Sequence, residues 1–110
     1  HIANNLIENA IKYNVPGGSV WIRLAIDQDD VVFTVEDTGI GIPPEEREKV
    51  FERFYRVDKA RSREAGGTGL GLSIVRDTVL QAGGSIRLTE GSAGGACFQV
   101  TLPLAQEDVT

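Results

Sequence analysis

The chain has 110 residues, 41% of them hydrophobic and 6% aromatic, with a net charge of −5 and one cysteine, Cys97. That length suits one domain, residues 1–110, around one core; the acidic balance argues against nucleic acid or anionic lipid as a partner; a lone cysteine excludes an internal disulfide and makes a reducing compartment the default. No apolar run approaches the roughly 20 residues of a membrane-spanning helix, and no signal-peptide pattern is present.

Residues 2–13 are predicted to be helical, because Ile2, Ala3, Leu6, Ile7, Ala10 and Ile11 recur as one apolar stripe. Opposite it, Asn5, Asn9 and Lys12 share a polar face, with Tyr13 at the border. Asparagine is a mediocre helix former. An amide oxygen is a hard neutral ligand for Mg²⁺, and an ammonium is a point charge for phosphate. An ordinary solvent-facing side explains the stripe more simply when nothing else is considered. Val15-Pro16-Gly17-Gly18 ends the helix. Val20, Ile22, Leu24 and Ile26 then alternate with Trp21, Arg23 and Ala25 as a half-buried strand. After a polar turn at Gln28-Asp29-Asp30, Val31, Phe33 and Val35 alternate in a second strand, completing a hairpin.

Asp37 continues that alternation and therefore ends the strand on its inward face. Gly39 and Gly41 follow, where the backbone can turn sharply or approach something flat. A buried carboxylate accepts only, so it suits an exocyclic amine such as that of adenine; a turn-capping Asp is the common alternative. Pro44-Glu45-Glu46 starts a short helix to about Phe54. From Tyr55 to Thr68 no period is visible, and unstructured stretches of this length are usually functional or disordered. The basic run Arg53, Arg56, Lys59, Arg61 and Arg63, with Asp58 as its acid, fits a small polyanion or a solvated loop. Gly66-Gly67-Thr68-Gly69-Leu70-Gly71-Leu72-Ser73 leads into the last helix, whose N-terminus offers N–H groups to a phosphate. It matches neither common phosphate motif, and a flexible hinge is the alternative. Leu70, Ile74, Val75, Thr78 and Val79 form that helix's apolar stripe, which stops at Gly83-Gly84. Strands at Ser85–Glu90 and Ala96–Leu102 close the chain, with Pro103 as the stop. The order of elements implies an α+β fold, a two-layer sandwich with a mixed or antiparallel sheet and its helices on one face.

These segments resemble the nucleotide-binding boxes of sensor histidine kinases. Asn5-Leu-Ile-Glu-Asn9-Ala-Ile-Lys12-Tyr13 is similar to the N box and Asp37-Thr-Gly39-Ile-Gly41 to the G1 box. Phe51-Glu-Arg-Phe54-Tyr55-Arg56 is similar to the F box and Gly67-Thr-Gly69-Leu-Gly71-Leu to the G2 box. The match runs in the family's order from residue 2 to about 104. The resemblance implies the Bergerat ATP-binding fold shared with gyrase B, MutL and Hsp90, with ATP and Mg²⁺ as cofactors. It implies that Asn9 holds Mg²⁺ with Asn5 beside it, that Lys12 and Arg56 meet the phosphates, that Tyr13 packs near adenine and that Asp37 accepts from its amine. Gly39, Gly41 and Ile42 then belong to the nucleotide pocket, Gly67, Thr68, Gly69, Leu70, Gly71 and Leu72 cover the triphosphate, and residues 55–68 form a mobile ATP lid. Asn14 departs from the family's usual Thr or Ser, and Gln81-Ala82-Gly83-Gly84 lacks its frequent His; neither position is an expected ligand.

The implied activity is donation of the γ-phosphate to a histidine on a separate dimerisation domain, through which a response regulator is reached. The implied setting is a monomeric cytoplasmic domain of a membrane-anchored parent. His1 is the chain's one histidine, and the acidic residue that follows the family's phospho-acceptor is replaced by Ile2. His1 is therefore expected to be a chain boundary, with the acceptor elsewhere. An ATP hydrolase of the same superfamily would need a carboxylate one turn before Asn9, where Asn5 stands, and an amide is no general base. The F box argues against the related anti-sigma-factor serine kinases. A module that only holds nucleotide is the remaining alternative, against which the intact N box and glycine loop speak.

Overall fold

The first apolar stripe folds as helix α1, Ile2–Lys12, which turns Leu6 and Ala10 into the interior. The computed structural model describes residues 2–52 and 71–104. After α1 come strands β1 (Val20–Asp27) and β2 (Asp30–Asp37), 3-10 turns at Pro44–Glu46 and Lys49–Phe51, helix α2 (Gly71–Gln81), and strands β3 (Ser85–Glu90) and β4 (Ala96–Pro103). The sheet order is β1-β2-β4-β3, and each pairing is antiparallel. Of the mixed or antiparallel sheet expected, the described residues thus form the antiparallel kind.

The two helices of the described residues pack against each other and against the sheet. Leu6, Ala10, Val75 and Val79 meet Val35, Phe98 and Val100 there, as the two-layer α+β reading requires. Burial of this apolar area is the main force holding the layers together. Phe51 meets the edge of Phe98 at 6.2 Å between ring centres, and the Arg76 guanidinium lies 5.3 Å from the Phe51 ring centre. The end of α2 shows why Gly83-Gly84 stops it. Gly83 has φ +82°, Gly83 N–H donates to Leu80 O, and Gly84 N–H donates to Val79 O, which satisfies two terminal carbonyls. The β1–β2 hairpin closes through Gln28-Asp29, with Gln28 at φ 57°.

Three sequence expectations need correction. β1 is not half-buried: Ile22, Leu24 and Ile26 are 51%, 70% and 70% exposed. Their register with Val35, Phe33 and Val31 puts them on the helix-bearing face, but β1 is the sheet edge and α1 leaves most of its length uncovered. The stripe of α2 is rotated: Leu72, Val75 and Val79 face the core, whereas Ile74 and Thr78 are exposed. The segment after Pro43 forms two 3-10 turns rather than one short helix; its buried residues are the adjacent pair Val50 and Phe51, so no helical stripe is available to be packed.

The corrected register of α2 and the place of Phe98 give unequal costs for truncation. Phe98→Ala should destabilise by about 3–5 kcal/mol through lost burial and a residual cavity. Ile74→Ala should stay within about 0.5 kcal/mol, as for an exposed position. Urea unfolding midpoints measure both, and a comparable loss at Ile74 would put that side chain back in the core.

Candidate nucleotide site

The site is organised around the end of β2. Asp37 is 4% exposed although it carries a carboxylate. Its Oδ1 accepts from Gly39 N–H at 2.8 Å and from Ala96 N–H at 3.1 Å. The described residues give Oδ2 no partner. One oxygen is thus fixed by backbone donors and the other remains an acceptor, an arrangement suited to a neutral N–H donor of a ligand. The short bond to Gly39 is also the Asx turn anticipated as the simpler role, so the two roles coexist on one side chain.

The loop after Asp37 is held on two sides. On the α1 side, Ile40 N–H donates to Tyr13 O at 3.3 Å, and a Cβ on Gly39 would collide with that same carbonyl. Thr38 Oγ1 donates to Asn14 Oδ1 at 2.8 Å and accepts from Ser19 N–H at 2.8 Å. Asn14 Oδ1 also accepts from Val15 N–H, and Asn14 Nδ2 donates to Ser19 O. Asn14, noted above only as a departure from the family pattern, is therefore a bridge between α1 and the loop. On the other side, Gly41 has φ +73°, and a Cβ there would stand 2.9 Å from Gly94 O. Arg47 Nε donates to Ile42 O at 3.2 Å. A cleft of about 280 Å³ beside this loop is lined by Gly41, Ile42, Pro43, Arg47, Glu90 and Gly94, among others.

On α1, Asn5 and Asn9 are half-buried and Lys12 is exposed. Asn5 Oδ1 lies 3.8 Å from where a Cβ on Gly71 would stand, so the polar face of α1 meets the N-terminus of α2. Lys12 also sits in the last turn of α1, where any cation offsets the helix dipole. The described residues contain no group of three His, Cys, Asp or Glu side chains able to hold a metal. Two amide oxygens one turn apart fit instead a Mg²⁺ that brings most of its ligands as phosphates and water. The structure thus joins Tyr13 to Gly39-Ile40, Gly41 and Ile42 to one cleft, and Asn5 to Gly71. Neither Asn9 nor Asp37 lines that cleft. Arg56, Gly67, Thr68, Gly69 and Leu70, and the expected lid 55–68, lie outside the described residues; Leu72 packs beneath the site against the core.

Residues 1–106 match the family of histidine kinase-, DNA gyrase B- and HSP90-like ATPases. The chain belongs to that family. It is 45% identical over 103 residues to the sensor histidine kinase RppB of Synechocystis sp., covering 94% of this chain and 23% of RppB. Its structure resembles the mycobacterial sensor histidine kinase MprB with a TM-score of 0.78 at 36% identity, over 93% of this chain and 69% of that one. It also resembles full-length ShkA in complex with AMPPNP, with a TM-score of 0.79 at 35% identity over 94% of this chain and 21% of ShkA. The chain therefore spans less than a quarter of RppB. It is a histidine kinase-type ATP-binding domain with the α+β fold of that family.

Several residues of this ATP-binding domain escaped the sequence reading. Ala96 contributes a backbone N–H, which no side-chain pattern reveals. Glu36 is 5% exposed on the face opposite Asp37. Its Oε2 accepts from Ser92 Oγ and Ser92 N–H at 2.7 Å each, and its Oε1 from Arg23 Nη1 at 3.2 Å. The Ser92 hydroxyl, the Ser92 N–H and Arg23, in that order, hold the Glu36 carboxyl below its ordinary value of 4.5, against the opposing effect of burial. The Gly91-Ser-Ala-Gly94-Gly95 run was the available sign of a close approach.

Because the folded-state pKa of Glu36 is lowered, its contribution to stability is complete above pH 4.5 and is lost as pH falls through the folded value. Glu36→Gln should therefore be less stable than the parent near pH 6, with the difference narrowing below pH 4.5. Thermal unfolding from pH 3 to pH 6 tests this, about where an ordinary carboxylate titrates. A constant difference across that range would mean that Glu36 has the same pKa folded and unfolded.

Proposed function

We propose that this domain binds Mg-ATP and donates the γ-phosphate to a histidine on a separate dimerisation and phosphoacceptor domain of the same kinase, in two-component signalling. The observation that carries the nucleotide reading is the Asp37 carboxylate, buried with Oδ1 held by Gly39 and Ala96 and Oδ2 left to accept. In this reading Oδ2 accepts from the adenine amine, Tyr13 packs beside the base, and Gly39, Gly41 and Ile42 shape its surroundings. Asn9, with Asn5 one turn away, would hold Mg²⁺, whose charge offsets that of the phosphate oxygens. Lys12 and Arg56 meet the phosphates. Gly67, Thr68, Gly69, Leu70 and Gly71 cover them at the N-terminus of α2, with Leu72 anchoring that turn in the core.

The chemical step would be in-line attack by the neutral imidazole on the γ-phosphorus. A nitrogen–phosphorus bond forms as the bond to the bridging oxygen breaks, ADP departs, and the imidazole's proton passes to solvent. Transfer is favoured over hydrolysis because Asn5 occupies the position where a water-activating carboxylate would have to stand. A response regulator then takes the phosphoryl group from the acceptor domain. The resemblance to sensor kinases supports a cytoplasmic domain in a membrane-anchored parent; that the domain by itself is monomeric is part of the same proposal.

Two substitutions test the reading. Asp37→Asn would set a donor amide against the adenine amine; losing a charge-assisted bond costs about 1.5–3 kcal/mol, or roughly ten- to hundredfold in ADP affinity by calorimetry. Unchanged affinity would mean that adenine is recognised elsewhere. Asn9→Ala should weaken Mg-ATP binding and abolish transfer to a supplied phosphoacceptor domain while leaving the circular dichroism spectrum intact. Transfer at the parent's rate would remove Asn9 from the site. Tight nucleotide binding by the parent with no transfer at all would favour a module that only holds nucleotide.

A further inference from the structure

The β3–β4 turn, residues 91–95, is gripped by two neighbouring acids of β2 that point to opposite faces of the sheet. Glu36 holds its first half. Ser92 donates both its N–H and its hydroxyl to Glu36 Oε2 at 2.7 Å, while Arg23 donates to Oε1. Gly91 lies so close that a Cβ there would stand 3.1 Å from both Cγ and Oε2 of Glu36. Asp37 holds the second half. Ala96 N–H donates to Asp37 Oδ1 at 3.1 Å, and a side chain on Gly95 would collide with the Asp37 carbonyl and with Oδ1. The two halves are tied by Gly91 N–H donating to Gly95 O at 2.7 Å.

We infer that Glu36 is a positioning residue for base recognition: through Ser92 it fixes the turn that leads into β4, whose first residue, Ala96, donates the N–H that orients the Asp37 carboxylate. This rests on the reading of Asp37 as the adenine acceptor. Glu36 itself is engaged by Ser92 and Arg23 on the opposite face from Asp37, so its effect on the base would pass through the turn. A carboxylate is required because three donors converge on it, two of them on one oxygen. The amide of Gln has one acceptor oxygen, and a neutral one: facing Ser92 it accepts both donors more weakly than a carboxylate does and turns its NH₂ against Arg23, and facing Arg23 it leaves the Ser92 N–H unmatched. A loosened turn lets Asp37 Oδ1 lose one of its two backbone donors, so the carboxylate no longer holds one orientation. Adenine presents an amine where guanine presents a carbonyl oxygen, which a fixed carboxylate repels. Preference for adenine is therefore the property that should relax.

The test measures Mg-ADP and Mg-GDP binding by calorimetry in the full-length protein, for the parent and for Glu36→Gln, Ser92→Ala, Ser92→Thr and Asp37→Asn. Glu36→Gln should lose about three- to tenfold in ADP affinity, the scale of one intramolecular hydrogen bond, with the ADP-over-GDP preference narrowing by a similar factor. Ser92→Ala, which keeps the N–H but not the hydroxyl, should move both quantities in the same direction by less. Ser92→Thr keeps both donors and should match the parent. Equal losses for ADP and GDP in Glu36→Gln would show general loosening and overturn the inference. So would parental preference in both Glu36→Gln and Ser92→Ala while Asp37→Asn loses it. If Glu36→Gln does not fold, Ser92→Ala at an exposed position decides alone: a narrowed preference supports the inference and an unchanged one overturns it. If Asp37→Asn itself keeps parental affinity and preference, the adenine reading falls first and the positioning role falls with it.

Discussion

A carboxylate taken out of water at the end of a strand has to be given hydrogen-bond donors, and the loops around Asp37 are arranged by that demand. One donor comes from its own loop, at Gly39, and one from the start of the neighbouring strand β4, at Ala96. For both to arrive, the end of α1 and the β3–β4 turn must press against the loop from opposite sides. Glycine at 39 and at 95 follows from this, because a Cβ at either would meet backbone. The interior below the site supplies a firm base. Val35, two residues before Asp37 on the same face, is 1% exposed and pairs in register with Phe98.

The two ends of the proposed nucleotide site depend on different contacts. Asn14 and Thr38 join the end of α1 to the loop that follows Asp37, so the helix carrying Asn5 and Asn9 is tied to that loop by side-chain hydrogen bonds, whereas the Asp37 carboxylate is held by backbone donors. The approach of Asn5 to Gly71 then links α1 to the N-terminus of α2. Neither link involves charge. The ion pairs of the described residues instead involve exposed arginines, Arg23 with Glu36 and Arg76 with Glu48, and pairs reaching into solvent contribute little alone.

Much of this was legible from the sequence where a single period governs. The inward place of Asp37 follows from alternation with Val31, Phe33 and Val35, and the burial of Leu6 and Ala10 follows from the helical stripe. Legibility failed where the environment lies far along the chain. The same alternation that buries Val35 assigns Ile22, Leu24 and Ile26 to the same face, but whether that face is covered depends on where α1 ends and on the place of β1 at the edge. Glu36 reads as an ordinary outward acid because its partner Ser92 is 56 residues away. In α2, five apolar or β-branched residues between 70 and 79 fit more than one helical stripe, and packing rather than pattern chose Leu72, Val75 and Val79.

The network at Asn14 and Thr38 has a thermodynamic corollary. Its hydrogen bonds, like those to Asp37 Oδ1, are made wholly between groups of the protein. A base docking against this end of the site would find its acceptor in place and would require little ordering of the described residues. Binding of such a small, flat fragment is then opposed mainly by its own loss of translational freedom, the condition under which few atoms give high affinity per atom. The triphosphate has no such advantage at Lys12, an exposed side chain with four carbons of rotational freedom to lose. Affinity per atom should therefore be concentrated in the base, with the phosphates contributing orientation for transfer more than strength of hold.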